Sequence, residues 1–254
     1  MSRQTKPLRP MREVAYHHIQ RKLSMRELRA GAPVSDVAIA KELGISRTPA
    51  REAIRQLVSD GLLESVAGRG VVVITLDRGD IRELYEMREA LEGLAARTVA
   101  ARSPSSAEMR DFRLIAAVMT ELVKELETSR KSELNEKQME RFEVADLAFH
   151  SYLMRLAGNQ RNQKTVSGIR LLIRIFAARR KGHSLADLKQ ISRDHSDLIT
   201  AVRDGDPEAA AQCIYRHVSS SRKSRLEEFD QREREAVLPH DVESFLAAIQ
   251  AELA

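Results

Sequence analysis

Four residues of the 254-residue chain combine types and spacings that suit metal chemistry. Asp146 and His150 stand four apart on an apolar stripe with Phe142 and Leu153, so one helix would direct both side chains the same way. His195 is the one imidazole on the stripe Leu188, Ile191, Leu198 and Val202; His217 is the one on the stripe Ala210, Cys213 or Ile214, and Ser221. Each histidine taken alone also fits a hydrogen-bonded core position. Three imidazoles and a carboxylate turned into a helical interior need partners, however, and one divalent cation would satisfy all four. Neutral imidazole with carboxylate suits Zn²⁺, Ni²⁺ or Mn²⁺; one ion per chain is expected, zinc first. The sequence has no HExxH and no cysteine pair, so the usual metalloprotease and structural-zinc patterns have no support.

Arg88 is a further candidate, on the stripe Ile81, Leu84, Leu91 and Ala95. A cation facing a bundle interior needs an anion. An acidic neighbour, solvent reached along its stem, or a small carboxylate ligand shared with the metal would each serve.

The elements that must carry these residues are helices. Periodicity predicts six, at about 80–101, 105–128, 135–157, 161–181, 184–204 and 206–230, broken at Ser103-Pro104, Gly158-Asn159, Gly182 and Gly205-Asp206-Pro207. A seventh short helix is expected near Asp241, after Pro239. No repeat of solenoid period occurs, so a single helical bundle follows.

The first third of the chain is built differently. Residues 1–76 hold 13 Lys and Arg against 7 Asp and Glu, a net of +6; the remaining 178 carry −1, so the overall +5 belongs to one segment. That asymmetry suits a small module meeting a polyanion. After a basic arm with Pro7 and Pro10 come three predicted helices. The first starts at Met11, the second runs to Gly44, and the third is capped at Ser46 with Ala50, Ile54 and Leu57 turned inward. The β-branched run that follows, with Gly68-Arg69-Gly70 between Leu62–Val66 and Val71–Ile74, predicts a hairpin. Two helices joined at a tight turn and followed by a hairpin make a winged helix-turn-helix. Its third helix turns Arg47, Thr48, Arg51 and Arg55 outward, and guanidinium forks four apart suit phosphates and guanine edges in the major groove. Arg69, at a hairpin tip whose glycines admit close backbone approach, suits the minor groove or a phosphate.

These runs resemble a known family. Ala40-Lys41-Glu42-Leu43-Gly44-Ile45-Ser46-Arg47-Thr48-Pro49-Ala50-Arg51-Glu52-Ala53-Ile54, with Gly61-Leu62-Leu63 and Gly68-Arg69-Gly70, resembles the DNA-binding domain of GntR-type bacterial transcription regulators. The resemblance implies base or phosphate contacts for Arg47 and Arg51, phosphate contacts for Ser46 and Thr48, and a wing reaching the minor groove at Arg69 and Gly70. Family members often place a DNA-touching polar residue early in the second helix; here that position is Val37. Tyr85-Glu86-Met87-Arg88-Glu89-Ala90-Leu91-Glu92, Asp146 through His150, Gly158-Asn159, His195 through Ile199, and Gly205-Asp206 through His217 resemble the all-helical FCD effector domain of the FadR-type branch. The resemblance implies that Asp146, His150, His195 and His217 hold a metal with a carboxylate effector over it. It also places Arg88 on a pocket-lining helix, with Arg174 as a further candidate and Asn159 as a helix cap rather than a ligand contact.

The sequence therefore predicts a mainly α protein with a basic arm at 1–10, a winged helix-turn-helix at 11–76, a hinge at 77–80, a metal- and effector-binding helical domain at 81–230, and a C-terminal extension at 231–254. The expected function is that of a DNA-binding transcription regulator, in the repressor sense. It would be a homodimer on a near-palindromic double-stranded DNA operator, controlled by a small carboxylate, and not an enzyme. Two alternatives stand beside it: a metal-dependent hydrolase or lyase with an accessory DNA-binding segment, and a metal-free regulator of the same family sensing an acyl ligand. Without an 18-residue apolar run or an apolar leader, and with a single cysteine, Cys213, a cytoplasmic protein with no membrane partner is expected.

Overall fold

A computed structural model describes residues 10–25, 27–176 and 182–237. In chain order the elements are α1 (Met11–Ser24), α2 (Asp36–Leu43), α3 (Arg47–Ser59), β1 (Leu63–Val66), β2 (Gly70–Val73), α4 (Arg78–Ala101), α5 (Ser106–Ser129), α6 (Glu136–Ala157), α7 (Gln160–Phe176), α8 (Leu185–Arg203) and α9 (Pro207–Val237). The chain is mainly α, and β1 and β2 form the one sheet among the described residues. The short helix expected near Asp241 lies outside those residues.

Two compact units divide the chain. The first runs up to Asp77 and takes in Ser167–Phe176; the second comprises Arg78–Val166 and the described residues from 182 onward. The terminal part of α7, expected in the helical domain, thus groups with the first unit, where Ile175 is buried in the core and Leu171 and Leu172 pack against it. Three of the four residues expected as a hinge at 77–80 are helical. Arg78–Asp80 already form the first turn of α4, where the Asp80 carboxylate is favoured by the helix N-terminal dipole.

In the first unit Ala15, Ile19 and Leu23 of α1 meet Ala50, Ala53, Ile54 and Leu57 of α3, Leu62, and Leu63 of β1. Ser35 caps α2, its side chain accepting from Ala38 N, and Gly44 ends the helix at φ 65°, a left-handed turn that costs glycine little. The hairpin pairs Leu63 with Val73 and Val66 with Gly70. Residues 31–34, not foreseen as part of the wing, lie along β2: Gly31 N donates to Val73 O, Val73 N to Ala32 O, and Val34 N to Val71 O, at 2.8–2.9 Å. A two-stranded ribbon is marginal alone, so this third segment helps to hold it.

The second unit is a helical bundle. Capping boxes start α5 (Ser105 with Glu108), α6 (Asn135 with Gln138) and α8 (Ser184 with Asp187). Met119, Leu122 and Leu126 of α5 pack with Met139, Phe142 and Ala145 of α6 and Leu188 of α8. Helix α9 lies along α4, with Arg222 Nη1 3.4 Å from Glu89 Oε1 and Arg78 Nε 2.7 Å from Asp230 Oδ1.

Candidate metal centre and nucleic-acid interface

Three helices of the second unit bring the four polar interruptions together. Asp146 and His150 come from α6, His195 from α8 and His217 from α9, and one donor atom of each lies within 4.8 Å of all the others. His150, His195 and His217 are fully buried, whereas the Asp146 side chain keeps 24% of its exposure. His150 Nε2 faces His217 Nε2 at 3.2 Å and Asp146 Oδ1 at 3.5 Å, and His195 Nε2 lies 4.0 Å from the same oxygen. Donors held at zinc-ligand distance around a tetrahedral ion stand ~3.3 Å apart; the 3.2 and 3.5 Å separations come close to this, the 4.0 Å one is wider, and the cluster could hold a metal ion.

Acidic residues behind the rings orient them. Glu92 Oε2, from α4, accepts from His150 Nδ1. Asp194 Oδ2 lies 3.5 Å from His217 Nδ1, while its Oδ1 accepts from Gln190 Nε2 at 2.9 Å. A carboxylate at Nδ1 favours the tautomer with the proton there, leaving the Nε2 lone pair to point inward. Two inward lone pairs 3.2 Å apart repel unless a proton or a cation lies between them. Burial pushes the His217 imidazole below its ordinary value; the adjacent Asp194 opposes this and the nearby His150 adds to it. A neutral ring is the form that ligates a metal. The His195 ring stacks on Phe149 with centroids 3.7 Å apart and planes 10° from parallel, and Phe149 in turn stacks on Phe112 of α5.

Arg88 is buried, at 5% exposure, and its Nε donates to Glu92 Oε1 at 2.7 Å. The anion it needs thus comes from one turn along its own helix. Burial works against the charged guanidinium, but Glu92, with Tyr85 and Asp146, outweighs that and holds it protonated. One carboxylate, Glu92, therefore joins Arg88 to a ring of the histidine cluster. Glu92 and Asp194 were not singled out from sequence. The signal for Glu92 was its place four residues after Arg88 on the same face, whereas Asp194, next to His195, carries no periodic signal of its own. Asn159 is a cap, its Oδ1 accepting from Asn162 N at 3.0 Å, and Arg174 is an exposed residue of Ser167–Phe176.

In the first unit Ser46, Arg47, Thr48 and Arg51 are exposed at the start of α3, and Arg69 and Gly70 are exposed at the hairpin turn. Ser46 occupies the N-cap position with extended backbone, but its side chain makes no capping bond. Arg47 and Arg51 converge on a residue the sequence did not mark. Asp36 Oδ2 accepts from Arg51 Nε at 3.1 Å, and both Asp36 oxygens lie 3.3 Å from Arg47 Nη2.

A small helical module with a two-stranded wing and basic exposed side chains, in a chain that also holds a helical bundle enclosing a histidine cluster, is the build of a DNA-binding regulator. Family models match both parts: residues 11–73 fit "Bacterial regulatory proteins, gntR family" and residues 83–220 fit the FCD domain. The chain is 30% identical over 198 residues to a probable D-xylose utilization operon transcriptional repressor of Paenarthrobacter nicotinovorans, covering 78% of this chain and 81% of that protein. It is 29% identical over 221 residues to the Nta operon transcriptional regulator of Aminobacter aminovorans, covering 78% and 97%. The solved structure of McbR/YncC from E. coli superposes with a TM-score of 0.66 at 16% identity, over 87% of this chain and 100% of that one. A GntR regulator from Rhodococcus sp. RHA1 gives 0.62 at 20% identity, over 85% and 97%; both show the fold. The chain belongs to the gntR family of bacterial regulatory proteins and carries an FCD domain. It is a transcription regulator and not an enzyme. No helix among the described residues is long and apolar enough to cross a membrane.

Proposed function

We propose that this regulator is a cytoplasmic, homodimeric repressor that binds a near-palindromic operator through residues 11–76 and senses a small carboxylate at a divalent metal, zinc first, within residues 81–230. The observation that carries the metal reading is the convergence of His150 Nε2, His217 Nε2 and Asp146 Oδ1, with Glu92 and Asp194 behind the two rings. Asp146, His150, His195 and His217 hold the ion in this reading. When bound, the ion supplies a Lewis-acid contact for a carboxylate oxygen. The chain's own residues do the rest: stacking on Phe149 fixes the His195 plane, Glu92 and Asp194 fix two tautomers, and Arg88, whose Nε is taken by Glu92, offers its terminal nitrogens to an anionic ligand.

On the DNA side, α3 enters the major groove. Arg47 and Arg51 meet base edges or phosphates, Ser46 and Thr48 meet phosphates, and Arg69 and Gly70 of the wing reach the minor groove. The word repressor in the name of the Paenarthrobacter nicotinovorans relative supports the sign. A carboxylate controls operator binding only as far as it has different affinities for the DNA-competent and DNA-incompetent states.

The test is elemental analysis of protein purified without chelator or a metal-affinity tag, followed by a thermal-shift screen of small carboxylates with and without Zn²⁺. About one metal per chain, with metal-dependent stabilisation by a carboxylate, is expected. Protein that holds no metal and takes none up on titration sinks the site and leaves the metal-free acyl-sensing regulator.

A further inference from the structure

We propose that Asp36 is a positioning residue for DNA reading: its carboxylate holds the Arg47 and Arg51 guanidinium groups in poses that read base edges, so it sets sequence discrimination at the expense of general affinity. The inference rests on the reading that α3 meets the major groove.

The geometry is selective. Asp36 engages Arg51 through Nε at 3.1 Å, the nitrogen that end-on bidentate pairing with guanine O6 and N7 does not use. The two terminal nitrogens keep their fork geometry. Arg47 is taken through one terminal nitrogen, Nη2, shared between both carboxylate oxygens at 3.3 Å, so Nη1 is the terminal nitrogen that stays clear of the contact and available to a base edge. The carboxylate is sheltered at 19% exposure, while the arginine side chains above it keep 59% and 52%. One anion thus anchors two cations from beneath and leaves their outer edges presented.

Capping α2 does not require Asp36, although its charge also suits the first turn of that helix. Asp36 is the first residue of α2, but Ser35 already caps that helix through Ala38 N. The neighbouring Val37 is an exposed apolar side chain. The Arg51 hydrogen bond, with Arg47, holds the Asp36 carboxyl below the usual range, so the anchor stays ionised.

The physical consequence has two signs. A fixed negative charge beside a DNA-facing helix weakens attraction to every phosphate backbone, whatever its sequence. Fixing two long, rotamer-rich side chains before encounter lowers the ordering cost of placing them against the right bases, a gain realised on the cognate sequence alone. An ordinary surface ion pair would show only the first effect.

The experiment uses the full chain and the variants Asp36→Asn, Asp36→Glu and Arg51→Ala. Wild-type protein first selects its preferred duplex from a random-sequence DNA library. Affinities for that duplex and for a shuffled duplex of equal composition are then measured across a salt series. Asp36→Asn, nearly the same shape without the charge, is expected to bind the shuffled duplex more tightly while the selected-to-shuffled ratio falls about tenfold. Asp36→Glu is expected to restore part of that ratio. If Asp36→Asn strengthens both affinities equally, or the ratio is unchanged or higher, the inference is overturned and Asp36 is only a like-charge penalty. Circular dichroism checks α2, and should Asp36→Asn unfold, a wild-type-like ratio in folded Asp36→Ala overturns the inference in its place. Arg51→Ala separates the two levels: if it leaves both affinities unchanged, the α3 interface itself is wrong whatever Asp36 does.

Discussion

His150 and His217, 67 residues apart in sequence, present their Nε2 atoms to each other at 3.2 Å inside the helical bundle. Each ring has a carboxylate at its other nitrogen, so the apposition is stable with a proton or a cation between them. Replacing His217 by Ala removes one of four donors. The expected result is a Zn²⁺ affinity at least tenfold weaker, read by competition with a chromophoric chelator, and an unchanged affinity for DNA. Wild-type metal affinity in folded His217→Ala would remove this ring from the ligand set.

Glu92 serves Arg88 and His150 at once, so it has two separable readouts. Glu92→Gln is expected to lower metal affinity about 10- to 100-fold by loosening the His150 tautomer. It also leaves a buried guanidinium without its anion, with a loss of about 3–5 kcal/mol in urea unfolding. The double variant Arg88→Met with Glu92→Gln should recover much of the stability and little of the metal affinity. Recovery of both would show that the two roles are one.

The arginines of the reading module divide by what they touch. Arg47→Ala is expected to cost about 1–3 kcal/mol per half-site and to relax base preference at its position. Arg69→Ala, at the hairpin turn, should weaken all sequences alike and reduce the slope of log affinity against log salt by about 1. Filter binding on selected and shuffled duplexes distinguishes them, and the opposite assignment would exchange the roles of helix and wing.

The α5 capping box gives a pH signature independent of ligands. The Arg102 guanidinium, with the Ser105 backbone and hydroxyl, holds the Glu108 carboxyl at about 2, against an ordinary 4.5. A depressed carboxylate contributes stability that is fully present above its unfolded value and is lost as pH falls through the folded one. The melting temperature of wild type should therefore exceed that of Glu108→Gln at neutral pH. The gap should close between about 4.5 and about 2. A gap that persists at pH 2 would mean that the carboxyl is not the group responsible.

Much of this protein is legible without coordinates, for identifiable reasons. Ala50, Ile54 and Leu57 are predicted to face inward, and all three are buried, because helical periodicity alone sorts the faces of an amphipathic helix. The same reasoning finds His150, His195 and His217, since a polar residue interrupting an apolar stripe is visible on one helix without knowledge of any other. Ser46 shows the limit of local reasoning. Its type and backbone are those of an N-cap, yet its side chain makes no capping bond.

What the sequence by itself determined was the class of each element, the charge confined to residues 1–76, and the polar residues that each helix must bury. What only the tertiary structure decided was pairing. Glu92 reaches His150 across 58 positions and Asp194 stands at His217 across 23; Asp36 meets Arg51 across 15, and residues 31–34 lie along β2. Periodicity records which face of a helix is apolar, whereas the partner of a charged atom depends on which helices pack together and at what height. No single stripe encodes that relation.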